Sequence, residues 1–154
     1  MNAGNRRQVR RLLQWVALLF FVAMTSAGAI DNPDAPDRIR QFEMRALSFE
    51  RNLAATDGGS ASTAAGQAYA RFLDAELNSA YRLLLLQLKA PAREALQESQ
   101  RQWLVFQKKE YIFIEQHWTR ERSGTSSSLS SAGYKTSIVK ARIILLLQYA
   151  SEYR

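Results

Sequence analysis

The sequence has no cysteine and only one histidine, and both scarcities narrow the chemistry open to it. Without cysteine there can be no disulfide, no thiolate nucleophile and no cysteine ligand for zinc. His117 cannot build a histidine-based metal cluster, and with Glu121, four residues further on, it would supply only two ligands. One histidine also leaves little scope for a Ser–His pair. We therefore expect no metal and no cofactor, and we predict a solvated or core-edge histidine.

Acidic residues are also few, and their spacing does not suit catalysis. Cleavage of a glycoside needs two carboxylates roughly 5–10 Å apart across a cleft. Asp74 and Glu76 lie two positions apart on a predicted helix, so they point to different faces. Glu94 and Glu98 share a face, but the nearby Arg101 indicates ordinary surface pairing. No glycine-rich phosphate loop precedes a helix, and the sequence predicts a protein that is not an enzyme.

The first 29 residues have the pattern of a secretory signal peptide. Four arginines precede residue 12, residues 12–24 are apolar except for Gln14, and Ala27-Gly28-Ala29 fits the signal peptidase pattern. The apolar run is shorter than the roughly 20 residues that a membrane span needs. We predict Sec-type export to the periplasm or exterior with cleavage after Ala29, so that the membrane is involved only before cleavage. An uncleaved anchoring helix is the alternative.

Removal of this segment changes the charge of the chain. The whole sequence has 21 Lys+Arg and 14 Asp+Glu, a net charge of +7. Four of the arginines and none of the acids precede Ile30, which leaves 17 basic against 14 acidic residues, a net of +3. A charge of this size spread over helices is typical of a solvated surface and not of a nucleic-acid footprint. No nucleic-acid partner is expected.

The spacing of apolar residues predicts an all-α fold with about four helices after the signal peptide. The first helix starts near Asp37, and its apolar residues recur every three or four positions. They are Ile39, Phe42, Ala46, Phe49 and Leu53. Residues 56–63 are rich in small polar residues and predict a linker, with Thr63 capping the next helix. This segment, residues 30–63, either packs on the rest of the domain or carries an arm that docks on a partner.

Two long helices are predicted to form the centre of a small up-down bundle. They cover residues 64–89 and 91–120 and fold back on each other at Ala90-Pro91, because a residue before proline disfavours helical geometry. After them, a loop at 123–133 precedes a final helix at 134–152. The domain built on this central αα-hairpin would extend from residue 64 to the last residue, 154.

Polar and aromatic residues recur at helical spacing in the hairpin. They are Asp74, Leu77, Asn78 and Tyr81 on its first helix, and Leu96, Gln100, Trp103 and Phe106 on its second. Buried polar groups need partners. We therefore predict that Asn78 and Gln100 are at least partly buried and hydrogen-bonded within the hairpin. Trp103 would fill the space between the helices, and Phe106 and Phe113 would point inward.

In this order, and with the break at the same place, these residues resemble the pattern of the lysozyme inhibitor LprI-like family of small exported helical proteins. The resemblance extends over about residues 69–149. It departs from the family pattern where Gln107 and Lys108 replace an Arg-Asp pair. Tyr111 and Tyr134 stand at the positions of two family cysteines, so an aromatic contact is expected in place of a disulfide. Arg142 matches a late family arginine, and the motif is expected to be structural.

What the resemblance implies is an exported protein that binds a lysozyme-like muramidase and occludes it sterically. The candidate contact is the polar loop before the last helix, although it could be a simple connector. Its residues are Ser123, Gly124, Thr125, Ser126, Ser127, Ser128 and Leu129. The alternative is a non-catalytic envelope binding or structural module with another partner, because a net charge of +3 gives no attraction toward basic lysozymes. An enzyme would instead depend on His117 or Glu76.

Overall fold

The computed structural model describes residues 37–153, and these residues form five α-helices and one short 3-10 turn. The elements are α1 (Arg38–Ala54), α2 (Gly59–Gln87), α3 (Ala92–His117), α4 (Arg120–Ser123), the 3-10 turn (Gly124–Ser126) and α5 (Ser127–Ser151). The described part of the chain has no strand, and the predicted all-α bundle is confirmed. The signal peptide predicted at residues 1–29 lies outside the described residues. Among the described helices, none has the length and apolarity that crossing a membrane requires.

Helix α1 begins where the sequence predicts, because Asp37 caps it. The side-chain Oδ1 of Asp37 accepts a hydrogen bond from the backbone N of Arg40 at 2.8 Å. This bond satisfies one of the N–H groups that the first turn of a helix leaves without a partner.

Helix α2 begins earlier than expected, and the linker predicted at 56–63 is wrong. Gly58 precedes α2 with φ +90° and ψ −164°, a conformation essentially confined to glycine. The chain therefore turns within residues 55–58, and the small residues after Gly58 are already helical. Thr63 does not cap the helix but lies inside it, and its hydroxyl donates to the carbonyl oxygen of Gly59 at 3.1 Å.

The core lies among α1, α2 and α5. The largest fully buried side chains are Phe42 from α1, Leu73 from α2, and Ile143 and Leu146 from α5. Helix α5 makes its most extensive contact with α2. The first helix packs on the rest of the domain in this structure, because α1 buries Phe42 and Ala46 completely against the other helices.

Helix α3 runs antiparallel to α5. Gln100, early in α3, is bonded to Arg142, late in α5, whereas Tyr111, late in α3, is bonded to Lys135, earlier in α5. The two helices therefore contact each other at both ends of their shared interface.

The hairpin of α2 and α3 is rearranged relative to the prediction. The chain reverses between the two helices, but α5 lies against both of them, and they make little direct contact. Asn78 is exposed, and its Nδ2 donates to the carbonyl oxygen of Asp74 in its own helix at 2.9 Å. Gln100 is buried, with 8% of its surface exposed, but its partner is Arg142 of α5. The predicted burial of Gln100 is confirmed, whereas the predicted burial of Asn78 and the bond of Gln100 within the hairpin are wrong. Periodicity alone does not show which helix covers a face.

Candidate functional site

One group of motif residues joins α3 to α5. The Nε of Arg142 donates to Oε1 of Gln100 at 3.1 Å, and its Nη2 donates to the hydroxyl of Ser99 at 3.2 Å. Its guanidinium carbon lies 5.8 Å from the centroid of the Trp103 ring, within the range of a cation–π contact. Burial lowers the pKa of Arg142 from its ordinary value. This cluster, Gln100, Trp103 and Arg142, fastens two helices and offers no reactive group.

The remaining motif residues divide between core and surface. Leu77 is buried, and Tyr81 and Leu96 pack partly buried against the core. Asp74 and Asn78 are exposed. Phe106 is also exposed, at 49%, and Phe113 at 57%, so the prediction that both point inward is wrong. Helix α3 contacts its neighbours along one face only, and these rings lie outside that face.

Tyr111 and Tyr134, the tyrosines at the family cysteine positions, were expected to contact each other. Each instead contacts a different residue of the facing segment. Tyr111 donates its hydroxyl to the carbonyl oxygen of Lys135 at 3.3 Å. The ammonium group of Lys135 lies 5.3 Å from the centroid of the same ring. Tyr134 instead packs on Trp118, with ring centroids 5.4 Å apart. Aromatic contacts thus join the end of α3 to α5 through two separate pairs.

The predicted contact loop is shorter than expected. Residues 127–133 belong to α5, so the prediction of a loop throughout 123–133 is wrong. Serine hydroxyls bond back to nearby carbonyls, as Ser126 does to Ser123 at 2.8 Å, which lets a serine-rich segment turn tightly. Gly124 makes the sharp turn with φ +59° and ψ −142°. Ser127 and Ser128 open α5, and Leu129 follows them with 57% of its surface exposed.

Two of the acidic residues considered for catalysis, Glu76 and Glu98, hold ion pairs. Glu76 accepts two hydrogen bonds from Arg45 of α1, at 2.9 and 2.7 Å, which raises the pKa of Arg45. Glu98 is bonded to Arg101 and Gln102 on the surface of α3. Within residues 37–153 there is no group of three or more side chains that could hold a metal ion.

His117 lies among aromatic rings at the end of α3. Its ring centroid is 5.6 Å from that of Phe113 and 5.1 Å from that of Trp118. The histidine is half-buried, as expected for a core-edge position.

A groove of about 530 Å³ opens between the first half of α2, the first half of α5 and the second half of α3. Sequence reasoning missed it. The groove exists because small side chains line it on two helices: Gly66 and Ala70 on α2, and Ala132 on α5. The spacing of small residues on α2 and α5 could have indicated a groove. It does not show which helices face each other across it.

Several of the polar groups lining the groove have partners within the protein. Tyr111 accepts a hydrogen bond from Nε2 of Gln107 at 3.1 Å. Burial, with a smaller contribution from the negative charge of Asp74, raises the pKa of Tyr111. Lys135 pairs with Glu115 at 2.6 Å. Asp74 lines the groove, is exposed, and makes no ion pair with any other residue of the described chain.

A family model described as lysozyme inhibitor LprI matches residues 53–146, more than half of the chain. The match contains α2, α3, α4 and most of α5, together with the cluster of Gln100, Trp103 and Arg142. Nearly all of α1 lies before it. Neither the curated proteins nor the solved structures include a match to this chain.

Proposed function

The chain belongs to the lysozyme inhibitor LprI family, and we propose that it is an exported protein that binds a lysozyme-like muramidase and blocks it sterically. The family match over residues 53–146 carries the proposal. Two structural features support a binding role without chemistry of its own. The carboxylates of Glu76 and Glu98 are occupied by ion pairs, and the motif residue Arg142 joins helices.

The contact in this proposal is the end of the bundle made by α4, the 3-10 turn and the start of α5. This end presents Leu129, an exposed apolar side chain, next to the hydroxyls of residues 126–128. Tyr134, also exposed, packs on Trp118 at the same end. An exposed apolar anchor with a polar surround is typical of a surface that buries a few dominant residues in a partner.

The test is a muramidase assay on exported protein, produced from the full chain and checked by intact mass for a first residue of Ile30. We expect stoichiometric loss of peptidoglycan cleavage with at least one lysozyme class. Leu129→Asp should weaken inhibition by roughly tenfold or more, because it places a charge in the contact. The matched control is Leu86→Asp, at a leucine that is 80% exposed near the C-terminal end of α2 and lies outside the proposed contact.

Equal loss of inhibition in the two aspartate variants would contradict the assignment of the contact to Leu129. Full turnover of every lysozyme class at stoichiometric ratios would contradict muramidase inhibition itself. Thermal melting of both variants should match the unsubstituted protein, because both leucines are exposed.

A second candidate function is an envelope binding module with a partner that is not a lysozyme. One face of α3 favours it, because four large apolar side chains there are each about half exposed to solvent. They are Val105, Phe106, Ile112 and Phe113. The net charge of +3 for residues 30–154 also gives no attraction toward basic lysozymes. If this alternative holds, Ile112→Glu would abolish partner capture, and no lysozyme class would be inhibited.

A further inference from the structure

The dimensions of the groove suit a small, elongated ligand. Its lining on α2 extends from Ser62 to Asp74, about 18 Å at 1.5 Å per residue. Its volume is about 530 Å³. The volume lies in the usual range for small-molecule sites, about 300–1,000 Å³.

The walls of the groove are less polar than their residue types suggest. The hydroxyl of Thr63 donates to Gly59 of its own helix at 3.1 Å. The hydroxyl of Thr136 lies 3.0 Å from the carbonyl oxygen of Ala132 and 2.9 Å from that of Gly133. Because these hydroxyls are already bonded, they do not need a polar ligand. Leucine, valine and small side chains make most of the remaining surface apolar, beside the polar side chains of Ser62, Gln67 and Ser128. The larger apolar residues are Leu53, Leu73, Leu129 and Val139.

The charge of the groove comes from one side chain. Of its two charged residues, Lys135 is neutralised by Glu115 and lies over the ring of Tyr111. Asp74 has no such cation among the described residues. The uncompensated charge along the groove is therefore negative and lies on α2, at the Asp74 end of the lining.

We propose that this groove is a binding site for a single-chain amphiphile with a cationic head, whose apolar chain lies along α2 and α5 and whose ammonium group pairs with Asp74. The proposal does not depend on muramidase binding. It names a ligand class for a site about 18 Å long, with an apolar surface and one free carboxylate.

The test compares two probes with the same chain and opposite heads, dodecyltrimethylammonium and dodecyl sulfate. Each is titrated into exported protein by calorimetry below the concentration at which it forms micelles. We expect one-to-one binding of the ammonium probe, roughly tenfold tighter than that of the sulfate probe. Asp74→Asn should reduce this preference to about threefold or less, because it removes the charge and keeps the shape.

A second pair of variants tests the location. Ala70→Leu puts three more carbon atoms into the groove and should weaken binding of both probes by roughly tenfold. Ala75→Leu is the matched control, because Ala75 is also exposed on α2 but does not line the groove. Circular dichroism of each variant checks that α-helix content is unchanged, and muramidase inhibition is measured in parallel.

Several results would overturn the proposal: stronger binding of the sulfate probe, several probe molecules per chain, or equal effects of the two alanine variants. A failure here with intact muramidase inhibition would leave the proposed function standing. Absence of muramidase inhibition with normal probe binding would contradict the proposed function and leave the amphiphile site standing.

Discussion

At the residue scale, Arg142 is the side chain that fastens α3 to α5. Its guanidinium group donates to Gln100 and to Ser99 and lies over the ring of Trp103. Only arginine combines a planar fork of donors with stacking on an aromatic face, so lysine would not replace it. Three of the motif residues, Gln100, Trp103 and Arg142, thus form a joint between helices.

Replacement of Arg142 by alanine should lower the free energy of unfolding by about 1–3 kcal/mol, because the buried Oε1 of Gln100 loses its partner. Urea unfolding measures the change. The control is Arg82→Ala, at an exposed position of α2, which should stay within about 0.5 kcal/mol of the unsubstituted protein.

Adding Gln100→Leu to the Arg142→Ala protein should recover part of the lost stability, because leucine removes the unpaired carbonyl oxygen and keeps most of the volume. Strictly additive losses for the two substitutions would show that the two side chains are not coupled.

At the scale of elements, α1 is an integral part of the bundle although most of it precedes the family match. The ring of Phe49 stacks on that of Phe72 in α2 with centroids 4.5 Å apart. Arg45 holds Glu76 of α2 through two hydrogen bonds. Without α1, the apolar side chains of α2 and α5 that it covers would be exposed to solvent.

Phe42→Ala should therefore destabilise the protein by roughly 3–5 kcal/mol, the range for removing a large aromatic side chain from a core. Met44→Ala, at an exposed position of the same helix, should change stability by about 0.5 kcal/mol or less. Denaturant unfolding gives both values. A small effect of Phe42→Ala would mean that α1 detaches in solution, as the arm hypothesis required.

The existence of the helices and the start of α1 could be predicted from sequence, but most of the other helix ends and the helix neighbours could not. Asp37 is a strong capping residue, and α1 begins beside it. Gly58 and Gly124 set the other turns through conformations that only the folded backbone reveals. Small polar residues such as Ser60 and Ser128 suit both loops and helix starts, so composition alone placed them in loops.

At the scale of the whole molecule, one ionic network joins three helices. Glu50 of α1 accepts a hydrogen bond from the hydroxyl of Tyr69 in α2 at 2.7 Å and another from Lys140 in α5 at 2.9 Å. The bond from Tyr69, and then that from Lys140, lowers the pKa of Glu50. Burial, and then the bond to Glu50, raises the pKa of Tyr69.

These shifts set the pH range of the stabilisation. A carboxyl whose pKa is lowered in the folded state stabilises the fold above its ordinary pKa of 4.5, and that contribution is lost as the pH falls through the folded value. A phenol whose pKa is raised stabilises the fold below its ordinary pKa of 10.0 and loses that contribution at higher pH. The network should therefore contribute most between about pH 5 and 10.

Glu50→Gln should lower the unfolding free energy at about pH 7, and the difference from the unsubstituted protein should shrink by about pH 3.5. The side chain of Glu50 is 37% exposed, so solvent screening keeps the effect modest. Urea unfolding at both pH values measures it. The control is Glu43→Gln, at an exposed position of α1, which should show no comparable change with pH. A difference that grows at low pH would contradict the assignment.

The groove shows why the candidate site was harder to predict than the fold. Asp74 and Tyr111 were both singled out by their residue types and positions, one as a motif acid and one at a cysteine position. Neither assignment places them along one groove with Lys135. Their positions are 37 residues apart on helices that make little direct contact, and only the placement of α5 brings them together.

By itself the sequence determined the helical class, the buried face of α1 and the family, because periodicity and residue type are properties of local chain geometry. Tertiary structure decided which helix covers each buried face. It placed α5 against α2 and gave Gln100 its partner in Arg142. It also kept α2 and α3 far enough apart to leave the groove beside Asp74. Helix packing depends on side chains distant in the chain, and no local pattern encodes that choice.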